Sequence, residues 1–478
     1  MPENTHLLVI YDNIDFSAPI VYTFDLLLST YAINYEIMPL NRLKLENRKL
    51  DNICVISYGK EYTDIGAGNQ IHIYASDFYS REYLKVNSLP IRPLNHYKGL
   101  PIIYKGGHSY DPFVIKSQAR IETNIDIIAS SFFMVSRYEE TLNNITDQFG
   151  RFPATASLAY KEGFLDRPIV NEYIELLWDW LDGLNLGFKR KKLWGSKDFA
   201  VCLTHDMDDI TRYRSVPPLI AIKRAIVSGD VKRGWWIWTD YLKTRAHLKS
   251  DPYHDAFDYI VNLERKYGFA SSFYFRTDGE RYSPDDPYLE EMIVRTQKNG
   301  FELGLHSGDN AYNNRDILAL EKEKLETIAG GKISGGRQHY LKWKGPASWR
   351  DWEAVGLLYD ATLGFTDHEG FRCGICYPFR PFDLFENSVM SLWEVPLTVM
   401  DGTLDSYRGL TPQKSIEIIV HLLDTVERYN GIFVFLWHNT YMCHLFTPGW
   451  NDCFDDFYHE ISTRNATVST ISDVIGKW

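Results

Sequence analysis

The chain has 478 residues, 45% of them hydrophobic and 24% charged, enough for two or three domains each with its own core. A net charge of −12 leaves no electrostatic footprint for nucleic acid, and no window approaches 18 uninterrupted apolar residues, so neither a nucleic-acid partner nor a transmembrane helix is expected. Six scattered cysteines make no disulfide framework and the first residues lack a basic n-region, so cytoplasmic localisation is the default expectation.

Apolar runs at 5–12, 52–58, 70–77 and 101–105 read as strands. Apolar spacings of three and four residues at 122–142 and 170–184 read as helices. Residues 1–190 are therefore expected to form a smaller α/β domain, ending at the basic junction Gly187-Phe188-Lys189-Arg190-Lys191-Lys192. From 198 the rhythm changes. Short apolar strands at 199–204, 270–276, 301–305, 333–338, 392–399 and 432–437 alternate with helices at 216–228, 255–267, 287–299, 315–328, 413–428 and 452–463. Such alternation means parallel strands joined by crossovers, in an open sheet or a barrel spanning 198–478. There is no P-loop, and Gly66-Ala67-Gly68 lacks the third glycine of a dinucleotide fingerprint. Cys373-Gly374-Ile375-Cys376 is a lone CxxC; a structural zinc needs a second ligand pair, for which Cys443-His444 is the only nearby candidate, and no zinc site is expected from it.

Four strands of this second region end in residues that carry chemistry. The first, Val201-Cys202-Leu203-Thr204-His205-Asp206-Met207-Asp208-Asp209, puts Asp206 and Asp208 on one face, because residues two apart along a strand point the same way. Two acids side by side need a metal ion, an arginine or a shared proton. A solvated Asp-rich turn is the bland alternative for that string alone. The strand 301–305 ends in His306-Ser307-Gly308-Asp309-Asn310, the strand 333–338 places Arg337 and His339 on one face, and the strand 432–437 ends in Trp437-His438-Asn439. In a parallel barrel catalytic groups gather at the carboxyl ends of strands, and four such ends together point to metal-assisted hydrolysis. Asp208 and His306 are the first two expected ligands, Asp206 the general base, Arg337 the cation that keeps Asp206 ionised, and His438 the acid for the leaving group. A backbone amide after Arg337 is the expected oxyanion donor.

The order Asp-x-Asp, His, Arg and Leu-Trp-His resembles the polysaccharide deacetylase superfamily, carbohydrate esterase family four, over 198–478. Tyr359-Asp360-Ala361-Thr362-Leu363-Gly364, Gly370-Phe371-Arg372 and Tyr377-Pro378-Phe379 resemble a bacterial subgroup of it. Ala129-Ser130-Ser131-Phe132-Phe133, Ser136-Arg137-Tyr138-Glu139-Glu140 and Ser157-Leu158-Ala159-Tyr160 resemble the domain that precedes the deacetylase module there. The resemblance implies a deformed (β/α) barrel, a divalent metal of the zinc type, and removal of an acetyl group from an amino sugar or glycan. It also implies a second metal histidine four residues after His306, where this chain has Asn310. An amide oxygen is a weaker ligand than imidazole, so His339 is the alternative third ligand. A catalytically inactive glycan-binding protein that has lost the ion is the competing reading, with Asn310 as its support. A metal-free glycoside hydrolase ranks last, since it leaves His306 and His438 without a task.

Overall fold

The computed structural model describes residues 6–46, 48, 50, 53–107, 113–215 and 218–478; positions 5, 52 and 216–217 of the expected elements lie outside them. The architecture is α/β throughout, a curled parallel sheet preceded by a smaller α/β domain. The smaller domain has a six-stranded sheet in the order Tyr35–Pro39, Leu7–Tyr11, Cys54–Gly59, Asn69–Tyr74, Arg120–Thr123, Val114–Lys116. All neighbours are parallel except the last pair. Leu7–Tyr11 and Cys54–Gly59 are buried along their whole length, as strands covered on both faces must be.

Two expected elements of this region differ. The segment 101–105 supplies only the end of a short hairpin, Asn95–Tyr97 with Leu100–Ile102. The helix expected over 122–142 is a strand end, then Ile127–Val135, then Tyr138–Leu142. Asp126 starts the first helix by accepting from the Ala129 amide at 2.9 Å, and Arg137 at φ 53° separates the two. Arg137 is worth its left-handed backbone because its buried guanidinium meets Glu140 at 2.7 Å. Glu140 also receives Arg372 of the second region at 2.6 Å. A buried carboxylate between two guanidinia thus locks the two regions together.

The second sheet has nine strands, all parallel to their neighbours. Its order is Trp393–Glu394, Tyr359–Asp360, Gly335–Gln338, Glu302–Ser307, Ser271–Phe275, Phe199–Met207, Ile432–Leu436, Val399–Met400, with Ala466–Val468 also on Phe199–Met207. Both ends of that order come from one stretch, 393–400, so the sheet curls until a single segment spans the gap. Inside the curl, Ala200, Cys202, Ile432, Val434 and Leu436 pack with the Tyr274 and Tyr359 rings, whose hydroxyls are 3.2 Å apart. The C-terminal helix Ile471–Lys477 covers the lower end through Ile471 and Val474. The interior is therefore a packed plug, and chemistry is confined to the carboxyl ends of the strands. A Cβ on Gly336 would lie 1.9 Å from the Leu305 carbonyl oxygen, so only glycine lets the strands carrying His306 and Arg337 run this close. Among the described residues no helix is long and apolar enough to cross a membrane.

Candidate metal centre

Five of the expected site residues continue the inward-facing alternation of their strands beyond the plug. Asp206 and Asp208 follow Cys202 and Thr204, His306 follows Gly304, Arg337 follows Gly335, and His438 follows Leu436. The register His306↔Arg337 sets those two side by side.

Asp208, His306 and His339 each bring a ligand atom within 4.8 Å of the others, the one such cluster of His, Cys, Asp and Glu found among the described residues. His306 Nε2 is 3.1 Å and His339 Nε2 3.5 Å from Asp208 Oδ1. Donors about 2.1 Å from one tetrahedral ion stand about 3.4 Å apart, so these separations fit a shared cation. Asp208 Oδ1 and His306 Nε2 are both buried yet hydrogen-bonded to nothing in spite of their closeness, which is how two atoms aimed at a common third point behave. His306 Nδ1 lies 3.0 Å from the Arg337 carbonyl, which can only accept, so Nδ1 carries the proton and Nε2 keeps its lone pair for a ligand bond. Burial lowers the His339 pKa below the ordinary histidine value, against the pull of Asp309 and Asp208, and so keeps this ring neutral. The donor set of two imidazoles and one carboxylate suits zinc, and equally other divalent first-row ions.

Asn310 is exposed and its Nδ2 donates to Glu280 Oε1 at 3.0 Å, whereas His339 Nε2 stands 3.5 Å from Asp208 Oδ1. Cys373, Cys376 and Cys443 are buried thiols and form no metal cluster with His444.

Asp206 accepts from Arg337 Nη1 at 2.8 Å, and both side chains are buried. Arg337 further donates to Thr204 Oγ1 and to the Ala361 carbonyl. The second Asp206 oxygen is 3.6 Å from His306 Nδ1, so the carboxylate lies against the ligand cluster. His438 closes the opposite side, its Nε2 3.7 Å from Asp208 Oδ2. Its Nδ1 donates to Asp401 Oδ1 at 2.7 Å, and Asp401 Oδ2 takes the His438 backbone amide as well. Burial disfavours the imidazolium, but the charge and hydrogen bond of Asp401, with Asp208 and Asp206 behind it, outweigh that and lift the His438 pKa to about 10. The expected oxyanion donor is corrected in one respect: the Gln338 amide, next after Arg337, is already spent on Thr362 Oγ1 at 3.0 Å.

Three neighbours of the cluster were not anticipated from the sequence. Asp401 is the first. The second is Arg276, inward-facing two residues after Tyr274, whose Nη1 is 3.0 Å from both ring nitrogens of His339 and 3.9 Å from Asp208. Asp278 and Glu280 balance its charge. The third is a wall lent by the smaller domain. Arg151 donates to the Tyr340 carbonyl at 3.2 Å and to the Tyr407 hydroxyl at 3.1 Å, while Phe149 stacks on Tyr340. Tyr340 in turn lies against His339 at 3.9 Å between ring centroids. Tyr340 and Leu341 both hold positive φ, 58° and 52°, so the turn behind His339 is kept in a conformation non-glycine residues adopt rarely.

A family model described as a family of unknown function, DUF7033, matches residues 7–185, which stops short of the curled sheet. No curated protein matches the chain. Among solved structures, a candidate polysaccharide deacetylase from Mycobacterium smegmatis is 20% identical, with 58% of this chain and 89% of that one covered at a TM-score of 0.40. PuuE allantoinase is 12% identical, with 60% and 91% covered at 0.39. The carbohydrate deacetylase Agd3 is 8% identical, with 99% and 87% covered at 0.34. At these values the likenesses are distant.

Proposed function

We propose that residues 198–478 act as a metal-dependent hydrolase that removes an acetyl group from an amino sugar or glycan, with residues 1–190 as an N-terminal unit that walls the site. The observation that carries this reading is the placement of a paired carboxylate and a paired imidazole on opposite sides of one three-donor cluster. A divalent ion of the zinc type held by Asp208, His306 and His339 would supply Lewis acidity and a nucleophile at neutral pH. Asp206 is the base: Arg337 holds one of its oxygens, the second faces the cluster, and it accepts the proton of the attacking water. His438, made a strong holder of a proton by Asp401, carries that proton at Nε2 for the departing nitrogen or oxygen. A binder without chemistry needs neither group, and His339 beside Asp208 supports a third donor in place of the imidazole absent at Asn310.

A groove of about 460 Å³ between the two regions offers Phe152, Tyr312, Trp343 and Phe385 with Asn143 and Asn144. Aromatic faces and amides are the groups that hold sugar rings and hydroxyls. Lys342, whose Nζ lies 5.8 Å from the Tyr312 ring and 3.6 Å from Asp309, links this groove to the cluster.

The test is acetate release from N- and O-acetylated saccharides by zinc-loaded protein, with Asp206→Asn as control. Release that disappears in the variant while zinc remains bound supports the reading. A metal-loaded wild type that frees no acetate from any such saccharide sinks it, as does an Asp206→Asn variant that keeps full activity.

A further inference from the structure

Between the strand that carries Asp206 and the next strand the chain makes an excursion over 212–251, and its two feet are tied. The Arg212 amide donates to Asp251 Oδ1 at 2.8 Å, and Tyr213 and Lys249 both reach the buried Asp240 at 2.5 Å. The excursion starts directly after Asp208 and Asp209. The Asp209 carbonyl accepts from Asn439, next to His438, so the excursion stands on the same rim as the candidate metal centre. It rises as two helices, Pro218–Val227 and Val231–Arg245, that meet where Gly234 lies against Ala225 and Ile222.

The second helix turns Gly234, Ile237 and Asp240 inward. On the other side Val231, Trp235, Trp238 and Leu242 recur at steps of four, three and four, which makes one continuous stripe along a helix. They are 63%, 64%, 37% and 46% exposed. On the first helix Leu219, Ile226 and Val227 are exposed too. Leaving this much apolar side chain in water is unfavourable unless something covers it. The surrounding charge says what. Residues 218–249 hold seven Lys and Arg against two Asp, a net +5 in a chain of net −12. One of those two acids, Asp240, is buried and paired with Lys249. Lys232 and Lys243 each follow a member of the apolar stripe, so cations flank it.

We propose that this hairpin docks on an anionic lipid bilayer, its indoles and aliphatic side chains at headgroup depth and its Lys and Arg against the lipid charges. Indole at the interface, an apolar stripe and flanking cations are the composition that lies on a membrane without crossing it. A second copy of this chain fits poorly, because a two-fold contact would set one positive hairpin against another. The proposal rests on the hairpin alone, so lipid binding and acetyl hydrolysis can fail separately.

The experiment is co-sedimentation of the full chain with vesicles of equimolar phosphatidylglycerol and phosphatidylcholine, against vesicles of phosphatidylcholine alone, in low and high salt. Binding selective for the anionic vesicles and weakened by salt is expected. Lys232→Glu with Lys243→Glu, and separately Trp235→Ser with Trp238→Ser, are each expected to lower the partition coefficient by at least about tenfold. Circular dichroism checks that the variants fold, and the lysine pair, being fully surface-placed, decides the matter if the tryptophan pair does not. Absence of binding, or binding indifferent to lipid charge, overturns the proposal. So does self-association in light scattering that the tryptophan variant abolishes in a chain that ignores vesicles, since the face would then be an interface between copies.

Discussion

Asp401→Asn changes one charge and almost no volume, and its pH dependence separates what holds the proton on His438 from the rest of the contact. The variant amide oxygen can still accept from Nδ1 and from the Gly402 amide, which donates to Asp401 Oδ1 in the native protein, but its NH2 cannot accept the His438 backbone amide that Asp401 Oδ2 takes, so one pH-independent hydrogen bond goes as well. What disappears is the largest of the influences that raise the ring from its ordinary pKa of about 6.5 to about 10. A rise of that size corresponds to about 5 kcal/mol in favour of the imidazolium. If Asp401 provides at least half, the ring in metal-free Asp401→Asn protein titrates below about 8, which NMR of the histidine protons reads directly. The linkage follows in sign. A histidine whose folded pKa is raised contributes stability that is fully present below pH 6.5 and lost as pH rises through 10, on the order of 4 kcal/mol at pH 7. The variant should therefore be less stable than wild type from pH 5 to 8, by a gap that narrows above pH 10 to the constant cost of the lost backbone hydrogen bond. A ring that still titrates near 10, or a stability deficit equal at all pH values, refutes the argument that the Asp401 charge is responsible.

The remaining expectations concern the ligands and the domain contact. By equilibrium dialysis with zinc, Asp208→Ala, His306→Ala and His339→Ala should each lose metal by at least about a hundredfold in affinity, whereas Asn310→Ala should bind as wild type does. The reverse order for the last two would return Asn310 to the ligand set. Glu140→Gln removes the carboxylate shared by two buried guanidinia, with Glu139 still 3.6 Å from Arg137, and should cost about 3–5 kcal/mol in denaturant unfolding. Burial opposes ionisation of Glu140, but Arg372 and Arg137 prevail and hold its pKa below the usual carboxylate range, so its contribution exists above about pH 4.5 and fades as pH falls below that. Wild type and variant should thus draw together in acid, and a gap that widens there would contradict the ion-pair account.

Alternation made the central pair legible in the sequence. Asp206 with Asp208 and Arg337 with His339 share faces because a strand repeats every two residues, and the structure keeps both relations. The same rule would have exposed Arg276 after Tyr274, but a lone arginine at a strand end has too many other uses to stand out. Asp401 was hidden for a different reason. It follows a two-residue strand, Val399–Met400, inside Met400-Asp401-Gly402, and reads as a turn until the curl brings His438 to it. Arg151 and Phe149 belong to the other region altogether, and no local pattern tells that they reach Tyr340. The helix Val231–Arg245 escaped notice because its apolar stripe faces water, which inverts the usual sign of amphipathic reading. The helix expected over 122–142 was overdrawn because spacing cannot reveal the cap at Asp126 or the left-handed break at Arg137.

Arg337 sits on one strand, grips two others through Asp206 and Thr204 and through the Ala361 carbonyl, covers the Tyr274 ring of a fourth, and offers its own carbonyl to His306 on a fifth. Half the girth of the curl is thereby stitched by one residue that also holds the Asp206 carboxylate. Arg337 cannot change without loosening that hoop, whereas Asp401, on the His438 flank, follows a two-residue strand that pairs with Ile432–Leu436 and is freer to drift. Variation among relatives should accordingly accumulate on that flank and leave the arginine alone.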